Sequence, residues 1–408
     1  MSNPINSGDT AWLLVCCSLV LLMTPALALF YGGMVRRKNV LSTLTLSYVF
    51  MALIGVQWVL YGYSLAFGES IGGLIGGLNF LGFKGVAADP NPDYGKTIPH
   101  GLFAAFQMMF AVITPALITG AFVERVRFKS FLLFSLLWAT LIYDPLCHWV
   151  WGKGGWLGAL GALDFAGGTV VHIAAGFSAL AFALAIGPRK GFGKTPMEPH
   201  NIPLTVIGAG LLWVGWFGFN AGSALAANGV AVNALLTTNT SAATAGLVWM
   251  VLSWLDGRPS TLGLVTGMVA GLAAITPASG FVTPMAAMVV GAVAAPLCYY
   301  GIRFRDKRKW DESLDVWACH GLASTWGMVA TGLFATVEVN SAGANGLFYG
   351  NPGQLGVQLL AIGATMAFCF GVTFLMAKLL DWSIGLRVTT VEEEVGLDIS
   401  AHGERAYS

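Results

Sequence analysis

The sequence predicts an all-α polytopic membrane protein with eleven transmembrane helices, laid out as a 5+5 inverted repeat plus one C-terminal helix. Three observations carry this. The 408 residues are 56% hydrophobic and only 10% charged, against roughly 25% charged in an average soluble domain, which is too few to cover a water-facing surface. The apolar runs approach the ~20 residues a bilayer-spanning helix needs. The basic residues also gather on alternate connections between those runs, the asymmetry by which membrane proteins are oriented.

In chain order the helices are expected near 11–33, 41–67, 100–121, 130–149, 169–187, 202–223, 231–254, 261–275, 283–301, 315–335 and 354–379. The eighth is short and glycine-containing. Glycine, at 53 residues, suits close helix packing in lipid, where small residues let backbones approach. Of the 21 Lys and Arg residues, 18 follow odd-numbered helices; only Lys84, Lys96 and Lys153 fall on the other side. The expected topology is therefore multi-pass in the cytoplasmic membrane, N-terminus outside and C-terminus inside, and an odd helix count satisfies it. Met1 to Thr10 carries no Lys or Arg, the reverse of a signal peptide, so the first helix is expected to be retained. Residues 1–379 form the transmembrane domain, with repeat one about 11–187, repeat two about 202–335 and the last helix about 354–379. Residues 380–408 form a cytoplasmic tail, whose acidic run Glu392, Glu393 and Glu394 reads as a solvated end. Helices one to five and six to ten then run oppositely, a plan that places a substrate site near the bilayer midplane between the halves.

Two stretches carry chemistry. Gly161 to Gly176 reads GALDFAGGTVVHIAAG, and Leu314 to Gly321 reads LDVWACHG. Each places an aspartate (Asp164, Asp315) before a histidine (His172, His320) inside an apolar run. An ionisable side chain at bilayer depth is costly and by default faces a partner or a cavity. The apolar neighbours leave each imidazole few side-chain partners except the other, and two facing rings share a proton. Asp164 is read first as an N-cap, its carboxylate accepting backbone N–H groups. Aromatic faces attract cations; Phe110, Trp151 and Phe219, with Ser223, are the candidates near helix ends, each one otherwise a packing residue. The six cysteines all lie in apolar runs and read as small core side chains. No CxxC or HExxH spacing appears, and no nucleophile–base pair; no metal, cofactor or enzymatic activity is expected, and no nucleic-acid partner.

FYGGMVRRKN, YGYSLAFG, AFQMMFA, GALDFAGGTVVHIAAG, GFGK, GWFGFNAGS, ITPASG, DVWACHG and the tail GLDISAHGERAY together resemble the ammonium transporter family, the Amt proteins related to Rh and Mep, from Ala11 to Tyr407. The resemblance implies that His172 and His320 are paired pore histidines and that Phe110 and Phe219 are a stacked gate above them. It makes Trp151, Ser223 and Phe110 an outer ammonium site supported by Asp164, and places Tyr31, Trp216 and Thr276 along the pore. It also implies a homotrimer with one pore per subunit, a PII-type signalling partner at the cytoplasmic face, and ammonium, ammonia or methylammonium as cargo. Under this reading NH4+ binds outside, loses its proton near the gate, and NH3 passes the histidines while the proton is relayed separately. An ammonium sensor acting through its tail and an electroneutral Rh-like gas channel are the alternatives. Three features depart from the family: Asp144 before Pro145, where members are more often apolar, the lack of a signal peptide that some members carry, and a tail that stops after Tyr407 and Ser408. Asp144 is expected either in the outer mouth, attracting cations, or capping a kink.

Overall fold

The computed structural model describes residues 5–407. Among them nine helices are long and apolar enough to cross a membrane. These are α1 Ser7–Met34, α2 Arg37–Phe67, α3 His100–Ala121, α4 Phe128–Ala159, α5 Gly168–Ile186, α6 Ile202–Gly222, α7 Gly229–Leu255, α9 Pro284–Lys307 and α11 Pro352–Ile384. Two further apolar segments are shorter: α8, Thr261–Ile275, and α10, which starts as a π-helical turn, Trp317–Leu322, and continues as Ala323–Phe334. Every apolar run read from the sequence is helical. The connection after α2 carries a pair of two-residue antiparallel strands, Ser70–Ile71 and Ile75–Gly76.

Helix starts follow local chemistry. The side chains of Asn6, Asn201, Asn228, Ser260 and Thr283 accept backbone N–H groups at the starts of α1, α6, α7, α8 and α9, satisfying donors that a helix leaves open. Packing between helices follows from small residues. Gly208 of α6 faces the α1 backbone so closely that a Cβ there would lie 2.7 Å from Phe30 Cα. Gly215, further along, would meet Leu19 O at 2.8 Å. Apolar side chains gain little over lipid in such contacts, so van der Waals fit between backbones holds the pair together.

Four helices contain π-turns: Trp58–Gly62 in α2, Ala139–Tyr143 in α4, and the first turns of α5 and α10. Such turns are rare and concentrate where a helix is re-aimed for a purpose.

The end bearing most basic residues is closed by a buried ion network. Glu124 accepts from Arg36, from Arg189 at 2.9 Å and from Asn39 at 2.9 Å. Arg189 also grips Asp311 through two nitrogens, and Arg125 lies 3.8 Å from the same carboxylate. Burial opposes ionisation of Glu124 and Asp311, but the guanidinium groups outweigh it and hold both carboxyls below their usual range.

The tail corrects one expectation. It is not a solvated end: it folds into α12, Thr390–Val395, and α13, Leu397–His402. Thr389 and Glu392 form a reciprocal capping box at its start. Glu393 is buried and accepts Arg387 at 2.8 Å, Lys38 Nζ donates to its carbonyl at 3.0 Å, and Asp398 accepts the Ser42 amide at 2.8 Å. The tail therefore packs on the loops around α2 and α5.

Candidate functional site

Asp164 sits in the turn before α5 and its carboxylate gathers the amides of Gly167 at 2.8 Å, Gly168 at 2.6 Å and Thr169 at 2.8 Å, together with the Thr169 hydroxyl. This is the capping role read from the sequence. The turn needs Gly167 in a left-handed conformation, φ 111°, which side-chain-bearing residues resist. The Asp164 carbonyl in turn accepts the Trp151 indole N–H at 2.9 Å, so one residue both starts α5 and positions Trp151.

His172 lies in the π-turn that follows, and His320 in the π-turn that opens α10. Their Nδ1 atoms are 3.3 Å apart, with ring centroids at 5.2 Å and planes 22° apart. Both are buried. Between two neutral rings one Nδ1 donates and the other accepts, so the pair shares a single hydrogen. His172 Nε2 has no partner among the described residues.

The sequence pairs Asp315 with Asp164, and here the structure differs. Asp315 turns away to Arg305. The acid that caps α10 is Glu312, which accepts the amides of Val316 at 3.1 Å and Trp317 at 3.3 Å. Glu312 precedes His320 by eight residues, as Asp164 precedes His172. Glutamate reaches back one carbon further, which the motif reading overlooked.

The histidines border a narrow, nearly closed cavity. Apart from the two imidazoles and the Trp216 indole its walls are apolar, among them Met23, Leu27, Ile113, Leu117 and Val269. Phe219 closes one side against Phe110, the two rings 4.3 Å apart. Trp216 stacks on His172 at 5.3 Å and donates its indole N–H to Thr276 at 2.9 Å. Tyr31 and Thr276 do not border this cavity; both are buried behind it, Tyr31 donating to the Leu117 carbonyl at 2.9 Å.

A second, open and roomier hollow lies at the other end, bordered by Trp151 and Ser223 together with Phe103, Gln107, Phe165 and Tyr94. Ser223 donates to the Phe219 carbonyl at 2.9 Å, leaving its oxygen lone pairs to accept. Phe110 is fully buried, edge-on to Trp151 at 5.8 Å and against Phe219, and so partitions hollow from cavity. Phe103, Gln107 and Phe165 were missed. Phe103, Gln107 and Phe110 follow helical spacing on one face of α3, the available signal. Phe165 comes from a turn and carries none.

Asp144 is a further correction. It is fully buried in α4 and bonded to Gln57, and it borders neither space. It is not in an outer mouth.

Fold and site together define a multi-pass helical membrane protein with a narrow, largely apolar cavity bordered by two imidazoles. The chain matches the Ammonium Transporter Family over residues 11–407 and belongs to that family, whose members are transporters and not enzymes. It is 53% identical over 404 residues to the ammonium transporter Amt1 of Archaeoglobus fulgidus, covering 99% of this chain and 100% of that one. The solved structure of Candida albicans Mep2 superposes with a TM-score of 0.90 at 37% identity, covering 99% of this chain and 91% of that one. A solved structure described as a sensor Amt protein superposes at 0.89 with 30% identity, covering 97% and 98%.

Proposed function

We propose that the chain moves ammonium across the cytoplasmic membrane by binding NH4+ in the hollow, stripping its proton at Phe110 and Phe219, and passing NH3 along the cavity. The observation that carries this reading is the 3.3 Å approach of His172 and His320 beside an otherwise largely apolar cavity behind a closed aromatic pair. An ammonium ion resembles a lysine head group, with a reference pKa of about 10.4, so it arrives charged. In the hollow the Trp151 and Phe110 rings supply cation–π attraction, worth ~2 kcal/mol when desolvated, and Ser223 and Gln107 supply acceptors. Past the gate the charged form loses its solvation, and burial biases an amine toward neutrality by up to ~3–5 pKa units. The imidazole pair is the one polar stepping stone there, and it relays the proton separately. K+ has no proton to shed and meets the full desolvation cost. Trp216 and Thr276 steady the His172 ring, and Tyr31 steadies the α1 wall.

The architecture that suits this reading is eleven spans, with α8 and α10 as the two short ones. Helices α1–α5 and α6–α10 form an inverted repeat, supported by the matched acid–histidine register at Asp164/His172 and Glu312/His320. The basic end faces the cytoplasm. By analogy with the family the assembly is a homotrimer, and a PII-type protein meets the tail and basic loops.

The test is current and uptake in proteoliposomes after an ammonium jump. The paired substitution His172→Asp with His320→Glu should admit K+ and alter ammonium current; unchanged ammonium current with K+ still blocked would overturn the relay. A second reading, a sensor signalling through its tail, is favoured by the docking of α12 and α13 on the loops and by the likeness to a sensor Amt structure. Removing Glu392 to Ser408 separates the two: a transporter keeps its flux, whereas a pure sensor has none in either form.

A further inference from the structure

Away from cavity and hollow, α2 and α4 enclose a carboxyl group that the transport reading does not use. Asp144 has none of its surface exposed and Gln57 only 2%. Gln57 Nε2 donates to Asp144 Oδ2 at 2.7 Å. The two remaining atoms of these groups, Asp144 Oδ1 and Gln57 Oε1, are buried without a hydrogen-bond partner among the described residues. Both are acceptors if Asp144 is ionised, and neither can serve the other. Asp144 makes no salt bridge among the described residues. A lone carboxylate in hydrocarbon surroundings is very costly.

The backbone is built around this pair. Gln57 immediately precedes the π-turn Trp58–Gly62, and Asp144 immediately follows the π-turn Ala139–Tyr143. Gly62 leaves the space in which the amide lies: a Cβ there would fall 2.5 Å from Gln57 Oε1 and 2.8 Å from its Cδ. Two bulged helices and one glycine thus set an amide against an acid.

We infer that Asp144 and Gln57 form a second intramembrane proton site, one proton on Asp144 Oδ1 being donated to Gln57 Oε1 so that the acid is held neutral. That proton satisfies both open atoms at once and closes an acid–amide ring with the existing Nε2–H to Oδ2 bond. Its titratable neighbours on its own helix are Tyr143 and Cys147; from α2 it meets Gln57, and among the described residues it forms no ion pair. The proton is structural, tying α2 to α4, and does not turn over with transport.

Difference infrared spectroscopy of the full chain in nanodiscs tests this. Wild type should have a protonated-carboxyl C=O band, deuterium-sensitive and unchanged from pH 5 to 8, that is absent in Asp144→Asn. Gln57→Leu and Gly62→Ala should each shift that band upward by removing or displacing the amide. Asn can close the same ring with Gln57, so Asp144→Asn should keep its thermal midpoint and ammonium flux within about twofold of wild type. If Asp144→Asn removes an ionised-carboxylate band instead, or if the C=O band ignores Gln57→Leu, the inference is overturned. Should Asp144→Asn fail to fold, 13C-aspartate labelling of wild type and Gln57→Leu makes the same comparison.

Discussion

Asp164 bonds three successive amides and a hydroxyl while its carbonyl holds Trp151, so its loss should be felt twice. Asp164→Ala leaves several buried donors open at ~1–3 kcal/mol each; thermal unfolding in detergent should fall by more than about 3 kcal/mol, with Asp164→Asn between the two. Trp151→Leu removes the ring proposed to hold the cation without touching the histidines and should weaken ammonium competition against methylammonium uptake about tenfold. The sequence led to His172, His320, Phe110, Trp151 and Ser223 because each residue type has a chemical reason to sit in an apolar run. It matched Asp315 to Asp164 because Asp315 precedes His320 closely along the chain, whereas Glu312 is the acid with the reach to cap α10. Phe165 could not be found from spacing, because only the fold of its turn brings it to Ser223.

At the scale of elements, the site depends on where α5 and α10 cross. Gly176 and Gly321 meet there, and a Cβ on Gly176 would fall within 3.3 Å of the His320 carbonyl carbon and closer still to the Gly321 backbone. Gly176→Val should push α10 outward and separate the imidazoles. Misplacement by about 1 Å can cost on the order of 10²-fold in rate, so uptake should drop at least tenfold while membrane insertion persists; normal uptake would mean the crossing can yield. Helix positions were legible from hydropathy because lipid demands apolar length. The π-turns were not, since an extra residue in a turn costs little locally and is stabilised by contacts from other helices.

For the whole molecule, the basic end couples stability to pH through groups of opposite tendency. Burial is the main cause that lifts the Glu312 carboxyl to about 7 from its ordinary 4.5, against the pull of Arg305. The native state therefore holds this proton more tightly than the unfolded chain, and stability should decline as pH rises from 4.5 to 7, then level off. Glu312→Gln, which keeps an oxygen for the Val316 amide, should abolish that slope and add up to about 3 kcal/mol at pH 8. Glu124 and Asp311 act the other way: their carboxyls are held low, so the stability they contribute is present at neutral pH and lost only as acid reaches their depressed range. Unfolding midpoints from about pH 2 to 8 for wild type and Glu312→Gln check both signs.

The sequence by itself determined a multi-pass helical membrane protein, its helix positions and the identity of the two imidazoles, because lipid imposes length and composition on each segment separately. Only the tertiary structure decided that Glu312 caps α10, that Tyr31 and Thr276 stand behind the cavity, that the tail packs on the loops and that Asp144 faces Gln57. Those outcomes depend on which surfaces of distant helices meet, and small residues, π-turns and buried polar partners set that meeting without leaving a periodic trace along the chain.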